Sequence, residues 1–128
     1  MSMIENNNYD SAICLEVLEH IPDRYKALKE INRVLKQNGI LILSVPHLSR
    51  LHEIPNDYYR YTKYGLQVLF NGSCFEVFLI KERAGVFSSN FISYYLNKLF
   101  LVYLSYYIDE ILPTKRLPAG YTVVAIKK

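Results

Sequence analysis

The chain has 128 residues, a length that fits one domain. Hydrophobic residues make up 51% of it and charged residues 21%, which excludes an intrinsically disordered protein because disorder needs few apolar residues and a large net charge. The net charge is +3, from 15 basic residues scattered among 12 acidic ones, so the sequence gives no indication of nucleic-acid binding.

The N-terminal part predicts a strand, a helix and a second strand with short connections. The continuous apolar run 11–17 is typical of a strand covered on both faces. Pro22 and the N-capping residue Asp23 begin a helix, and Gly39 is expected to supply the left-handed residue with which the chain leaves it. Residues 40–45 are the second buried strand, which completes a βαβ unit. The apolar stripe of the helix consists of Ala27, Leu28, Ile31, Val34 and Leu35.

The C-terminal part predicts a further helix and two further strands. Residues 47–61 form a polar, aromatic loop, after which Thr62 caps a short helix that Gly72 ends. Residues 75–82 and 121–127 are predicted strands, and residues 87–112 are a long, Tyr-rich apolar segment of helical character. The pattern predicts an α/β chain with helices packed on a mostly parallel sheet.

Cysteine usage and the first residues of the chain indicate the compartment. Cys14 and Cys74 are far apart and lie in apolar runs, as expected of buried thiols in a reducing environment. The first ten residues are polar and Asn-rich, unlike a signal peptide. We therefore expect a cytoplasmic protein.

Several runs resemble the class I S-adenosylmethionine-dependent methyltransferases of type 11. The run 9–23, YDSAICLEVLEHIPD, is similar to the fourth strand of that family and the turn after it, and the run 27–39, ALKEINRVLKQNG, to the following helix and the turn into the fifth strand. The usual K-P-G-G turn is K-Q-N-G here. The run 52–62, HEIPNDYYRYT, resembles a subgroup linked to glycan biosynthesis in bacteria and archaea, and the run 72–77, GSCFEV, resembles the entry into the sixth strand.

The resemblance implies a partial Rossmann-like methyltransferase sheet made of strands four to seven of the family fold. The whole chain, 1–128, is then a single truncated methyltransferase-like domain. Its core spans 9–85, a Tyr-rich helical insertion spans 86–118, and the final strand lies in 119–128.

The family binds S-adenosylmethionine on a Gly-rich turn after its first strand, with an acidic residue that holds the ribose hydroxyls. All five glycines of this chain lie beyond the point where that turn belongs. We therefore expect the isolated chain to lack a complete cofactor site. The chain is then either a methyltransferase for a small molecule or glycan precursor, with its cofactor half on a separate chain, or a catalytically inactive remnant that dimerises or binds a partner.

The resemblance also implies roles for individual residues. Cys14, Leu15 and Glu16 match the end of the fourth strand, where the family lines the methyl-donor cleft, so they are the candidate cofactor-binding residues, although Cys14 also suits a buried strand position. His20 is the candidate catalytic residue, a general base near the acceptor. The alternative is that Glu19 and His20 only order the loop after the strand.

The loop 47–61 supplies the candidate substrate-binding residues Tyr58, Tyr59 and Arg60, which suit stacking on a sugar or holding an acidic group. The alternative is that the tyrosines pack the loop onto the sheet while Arg60 pairs with Asp57. Two histidines of the loop lie near acidic residues, but their spacing is irregular and too few ligands are present for a structural zinc site, so no metal site is predicted.

The open edge of the partial sheet implies a partner. We expect two chains to pair antiparallel through the 11–17 strand, or the 87–112 helix to cover the exposed surface. That helix is a lid and acceptor wall, a subunit interface, or a helix in the membrane interface. A true membrane span is the least favoured interpretation, because Asn90, Asn97 and Lys98 interrupt the apolar run.

Overall fold

The computed structural model describes residues 4–83, 85, 107–108, 110–111 and 118–128. In chain order, the elements are β1 (Tyr9–Leu15), a one-turn 3-10 helix (Leu18–His20), α1 (Arg24–Val34), β2 (Leu35–Pro46), α2 (Lys63–Asn71), β3 (Phe75–Arg83) and β4 (Gly120–Lys127). The predicted α/β class is confirmed.

The four strands form one mixed sheet in the order β1-β2-β4-β3. β1 and β2 are parallel, whereas β4 runs antiparallel to both of its neighbours. Among the four described strands, β1, β2 and β3 run in one direction and β4 is reversed, so the expected mostly parallel sheet holds for strand direction although two of the three pairings are antiparallel. A continuous apolar run indicates that a strand is buried but carries no information on its direction.

The core lies on one face of the sheet, beneath the two helices. Leu41, Leu43 and Val123 on this face are completely buried, as is Leu66 of α2. The other face is open among the described residues, where Ile13 of β1 is 69% exposed. Side chains alternate along a strand, so each strand contributes to both faces.

Local sequence chemistry explains how the helices begin. The Asp23 carboxylate accepts a hydrogen bond from the Lys26 backbone N–H at 3.0 Å, and the Thr62 hydroxyl accepts one from the Gly65 backbone N–H at 3.0 Å. Each bond satisfies a backbone donor that has no partner within the helix. Both predicted N-caps are confirmed.

The exit from α1 differs from the prediction. The chain leaves α1 through an extended Leu35; the left-handed residue is Asn38, within β2, with a φ of 62°, and no described glycine has a positive φ. Asparagine tolerates this conformation because its short polar side chain can bond locally. Gly39 is needed for space instead, since a Cβ there would lie 2.8 Å from the Lys36 carbonyl oxygen.

The C-terminal end of α1 is held by a side chain from β4. The Lys127 ammonium donates to the carbonyl oxygens of Asn32 and Leu35, at 2.8 and 2.7 Å, and to the Asn7 side chain at 2.8 Å. A cation at this position complements the partial negative charge of the helix end.

Most of the segment 87–112 lies outside the described residues. Its predicted roles, and the 86–118 boundaries of the insertion, stay predictions. Among the residues that are described, no helix is both long and apolar enough to cross a bilayer.

Candidate functional site

Glu16 turns the chain at the carboxyl end of β1. Its φ of 51° is left-handed, and its backbone N–H donates to the Ser44 carbonyl of β2 at 3.0 Å. The Glu16 carboxylate accepts hydrogen bonds of 2.7 Å from the Ser44 hydroxyl and from the Arg83 guanidinium. The turn is therefore tied to the ends of both β2 and β3.

The three predicted cofactor-binding residues do not share one surface. Cys14 is partly buried against the core, and burial raises the pKa of its thiol. Leu15 is 52% exposed, and as the next residue of the strand it points to the opposite face. Of the three, Leu15 and Glu16 are accessible from the open side of the sheet.

The 3-10 helix after this turn carries Glu19 and His20. The Glu19 side chain is 0% exposed, and neither of its carboxylate oxygens has a hydrogen-bond partner in the described part of the chain. The imidazole of His20 lies beside it, with Nε2 3.8 Å from Glu19 Oε1. Desolvation raises the pKa of the Glu19 carboxyl.

The loop 47–61 packs against the 3-10 helix through hydrogen bonds to the backbone. The Tyr58 N–H donates to the Glu19 carbonyl at 2.9 Å, the Tyr61 hydroxyl to the Leu18 carbonyl at 3.2 Å, and the Tyr59 hydroxyl to the Pro22 carbonyl at 2.7 Å. The loop is therefore fixed at the carboxyl end of β1. This is the edge at which open α/β sheets bind their ligands.

This packing brings His52 onto His20. Their Nε2 atoms are 3.1 Å apart, and their rings meet edge to face with centroids 4.8 Å apart. His47 is directed elsewhere, because its Nδ1 bonds the Tyr61 carbonyl at 2.8 Å and its ring contacts Tyr121. The pairing of His20 with His52, which are 32 residues apart, was not predicted from the sequence.

Arg60 is fully engaged within the loop. Its guanidinium bonds both carboxylate oxygens of Asp57 and also donates to the carbonyls of Ser49, Arg50 and Tyr59. The Asp57 side chain is 2% exposed, and the guanidinium holds the pKa of its carboxyl well below the usual range. The pairing of Arg60 with Asp57, which the sequence left open as an alternative, is therefore present.

The tyrosines of the loop differ in accessibility. Tyr58 is 43% exposed, whereas Tyr59 lies beneath the Arg24 guanidinium, which is 4.6 Å from its ring centroid. Tyr59 and Arg60 line one side of a pocket of about 220 Å³. Its other lining residues are Arg24, Tyr61, Thr62 and Gly65.

Known proteins share sequence or fold with this chain. A family model described as a methyltransferase domain matches residues 1–43, which include β1, the 3-10 helix and α1. A comparison with curated protein sequences found no match. Among solved structures, the chain is similar to a Haloferax volcanii methyltransferase in complex with the Trm112 activator, at a TM-score of 0.65 and 15% identity, over 98% of this chain and 57% of that one.

Two further solved structures have a fold similar to that of this chain. A methyltransferase from Listeria monocytogenes has a TM-score of 0.62 at 14% identity, over 98% of this chain and 64% of that one. One from Mesorhizobium loti has a TM-score of 0.63 at 12% identity, over 97% of this chain and 64% of that one. Both are described as dependent on S-adenosylmethionine. The predicted resemblance to the class I methyltransferases is confirmed.

The chain thus has part of a methyltransferase fold, and it spans 57 to 64% of the length of these three structures. The matched segment 1–43 contains Glu16, Glu19 and His20. The loop 47–61, which carries the predicted substrate-binding residues, lies beyond that segment.

Proposed function

We propose that this chain forms the acceptor side of an S-adenosylmethionine-dependent methyltransferase site. The observation that carries the proposal is the meeting of the Glu16 turn, the 3-10 helix and the loop 47–61 at the carboxyl end of β1. The methyltransferase fold and the family match over this segment support it. A small molecule or glycan precursor is the acceptor class that suits a loop rich in tyrosine.

The residues present fit one wall of a cofactor site. Leu15 offers exposed apolar surface beside the Glu16 turn. The Glu16 carboxylate is already paired with Arg83 and Ser44, and the sequence has no Gly-rich turn of the kind that approaches a nucleotide closely. We propose that the groups that hold the ribose and the methionine carboxylate come from sequence outside these residues, on the same polypeptide or on another chain.

The chemical contribution of this half is positioning. S-adenosylmethionine, when bound, supplies an electrophilic methyl group, and the acceptor atom must lie in line with it, a proximity effect that lowers the barrier substantially. Tyr58 is the accessible aromatic ring for an acceptor. His20 is the candidate base for the acceptor proton, through its Nε2.

Nuclear magnetic resonance tests this proposal on the full chain. Titration with S-adenosylhomocysteine, the demethylated product of the cofactor, is expected to shift backbone amide signals of residues 14–20, with an affinity of about 1 mM because only one wall is present. The Leu15→Ser variant should weaken the shifts at least threefold. The matched variant Val68→Ser, at an exposed apolar position of α2, should leave them unchanged. Shifts absent at 14–20, or confined to other parts of the chain, would overturn the proposal.

A second candidate function is a binding module without catalysis, and the open edge of β1 favours it. No described strand pairs with the outer edge of β1, and Ile13 and Leu15 expose apolar surface beside it. Such an edge readily accepts another strand. The Haloferax volcanii methyltransferase bound to its activator supports a partner chain as one occupant, and a second copy of this chain is the other.

Hydrogen exchange distinguishes a paired edge from an open one. If a partner strand occupies the edge, the outward-facing amides of β1 should be protected when the chain is associated and exchange quickly on dilution. Fast exchange at every concentration would exclude pairing of the chain with itself.

A further inference from the structure

Glu19, His20 and His52 form a cluster in which the two Glu19 carboxylate oxygens have no hydrogen-bond partner among the described residues. One ligand atom from each residue lies within 4.8 Å of the other two. Glu19 and His20 are neighbours in the 3-10 helix, and His52 arrives from the loop that is hydrogen-bonded to this helix. The cluster is therefore held by two connected, well-fixed segments.

The hydrogen bonds of the two histidines fix where their protons are. His20 Nδ1 is 2.8 Å from the Asn56 carbonyl oxygen, and His52 Nδ1 is 3.0 Å from the Arg50 carbonyl oxygen. A carbonyl oxygen only accepts hydrogen bonds, so each Nδ1 must carry the proton. In the neutral rings, each Nε2 then has a free lone pair.

These two lone pairs face each other at 3.1 Å. Two acceptors at this separation repel unless something positive lies beside both. The arrangement matches that of metal-binding histidines, whose second nitrogen usually donates to a carbonyl or carboxylate while the first binds the ion. The Asp57 carboxylate lies 3.5 Å from His52 Nδ1.

The buried carboxylate of Glu19 supplies the negative charge. Its side chain is 0% exposed and both oxygens lack hydrogen-bond partners among the described residues. A carboxylate without partners is costly to bury, and native proteins rarely leave one so. A bound cation would satisfy this carboxylate and both Nε2 lone pairs together.

We propose that Glu19, His20 and His52 bind one divalent transition-metal ion of the zinc type. Two nitrogens at the usual zinc distance of about 2.0–2.1 Å are roughly 3.3 Å apart in a tetrahedral site, close to the 3.1 Å between the two Nε2 atoms. Glu19 Oε1 lies 3.8 Å from His20 Nε2 and the three ligand atoms lie within 4.8 Å of one another, so the carboxylate must move closer to the two nitrogens to complete the set. Mixed nitrogen and oxygen ligands favour such ions over Mg²⁺, which prefers oxygen alone.

Three protein ligands leave a coordination position open, as in zinc sites that bind water or a substrate oxygen. His20 would then act as a ligand rather than as a free base. The metal site does not depend on cofactor binding or methyl transfer. Its test therefore succeeds or fails separately from that of the proposed function.

The experiment is a calorimetric titration of the full, tag-free, chelator-treated chain with Zn²⁺, repeated with Co²⁺ and followed by visible absorption. We expect one ion per chain, and a Co²⁺ spectrum of a four- or five-coordinate site that Zn²⁺ abolishes and Mg²⁺ does not. His52→Gln and Glu19→Gln should each weaken binding at least tenfold. The third histidine provides the matched control, because His47 bonds the Tyr61 carbonyl, and His47→Gln should bind as the unchanged chain does.

Circular dichroism of each variant tests whether it is folded. If Glu19→Gln does not fold, the His52→Gln variant alone decides, since His52 lies in a loop and is 40% exposed. Absence of stoichiometric binding would overturn the proposal. The contact between the two Nε2 atoms would then be explained by a proton shared between the His20 and His52 rings. Equal loss in the His47→Gln variant would overturn it too, because binding would then not depend on this cluster.

Discussion

Asp57 organises the loop 47–61 from within. Its carboxylate accepts from both terminal nitrogens of Arg60 and from the His52 backbone N–H at 3.0 Å, although the side chain is only 2% exposed. Charge-assisted, two-pronged pairing of this kind is among the stronger polar interactions in proteins. It fixes the loop segment that presents His52 and Tyr58.

The Asp57→Asn variant should lose about 1–3 kcal/mol of stability at neutral pH, because the amide cannot accept from Arg60 at both positions. The pKa of the Asp57 carboxyl is lowered in the folded state, so its contribution is fully present above the unfolded pKa of about 3.9 and is lost as the pH falls toward the folded value. Urea unfolding at pH 7 and at pH 3 measures this difference.

We expect the deficit of the variant to be largest at pH 7 and to shrink at pH 3. The control is Asp10→Asn, since the Asp10 side chain is 85% exposed in its pair with Lys36, and a change within about 0.5 kcal/mol is expected there. A deficit at Asp57 that does not vary with pH would show that packing, rather than charge, is what the variant loses.

The roles assigned to individual site residues stay predictions, whereas the position of some of them at the end of β1 followed from the resemblance. The end of β1 and the His20 turn were identified as part of the cleft, and the structure places them at one edge of the sheet. The contact between His20 and His52 was not predictable, because spacing along the chain does not indicate which loop residue folds back. The opposite directions of Cys14 and Leu15 follow from strand alternation and were foreseeable.

At the scale of elements, the junction of α1 and β4 depends on Lys127. The Lys127→Met variant should cost about 1–2 kcal/mol, because two carbonyl oxygens at the end of α1 lose a charged donor. Methionine keeps much of the apolar stem, so the change isolates the ammonium. Urea unfolding measures the loss, and faster amide exchange in the last turn of α1 should accompany it.

The neighbouring lysine is the control, because Lys128 is exposed and Lys128→Met should change stability by less than about 0.5 kcal/mol. Equal effects at the two positions would mean that net charge matters and that the three hydrogen bonds of Lys127 do not.

The starts of the helices were predictable, and the course of the strands less so. Asp23 and Thr62 act through bonds to residues three positions later, so the sequence contains the whole interaction. β2 begins at Leu35, before the predicted start at residue 40, because Leu35 pairs with Tyr9 of β1 ahead of an irregularity, and the regular register begins only at Ile40. The direction of β4 likewise depends on its partners.

At the scale of the whole molecule, one edge and one face of the sheet are open among the described residues. Association through this surface should give an apparent mass that rises with concentration in light scattering coupled to gel filtration. The Ile13→Lys variant should abolish the rise, because a lysine at a strand edge opposes pairing. Ile13 is 69% exposed, so the fold should tolerate the change.

The matched variant is Val68→Lys, which places the same charge on an exposed position of α2 and should associate as the unchanged chain does. A chain that remains monomeric at every concentration would argue that the open surface belongs to a different partner.

The strand order also determines when this sheet can form during synthesis. β4 is the last of the four described strands, yet it lies between β2 and β3 and takes part in two of the three pairings. A nascent polypeptide that ends before Gly120 has only the pairing of β1 with β2, and β3 has no neighbour. β4, the last of these four strands to be synthesised, must therefore leave the ribosome before the sheet closes, and until then β2 and β3 expose apolar residues that favour association.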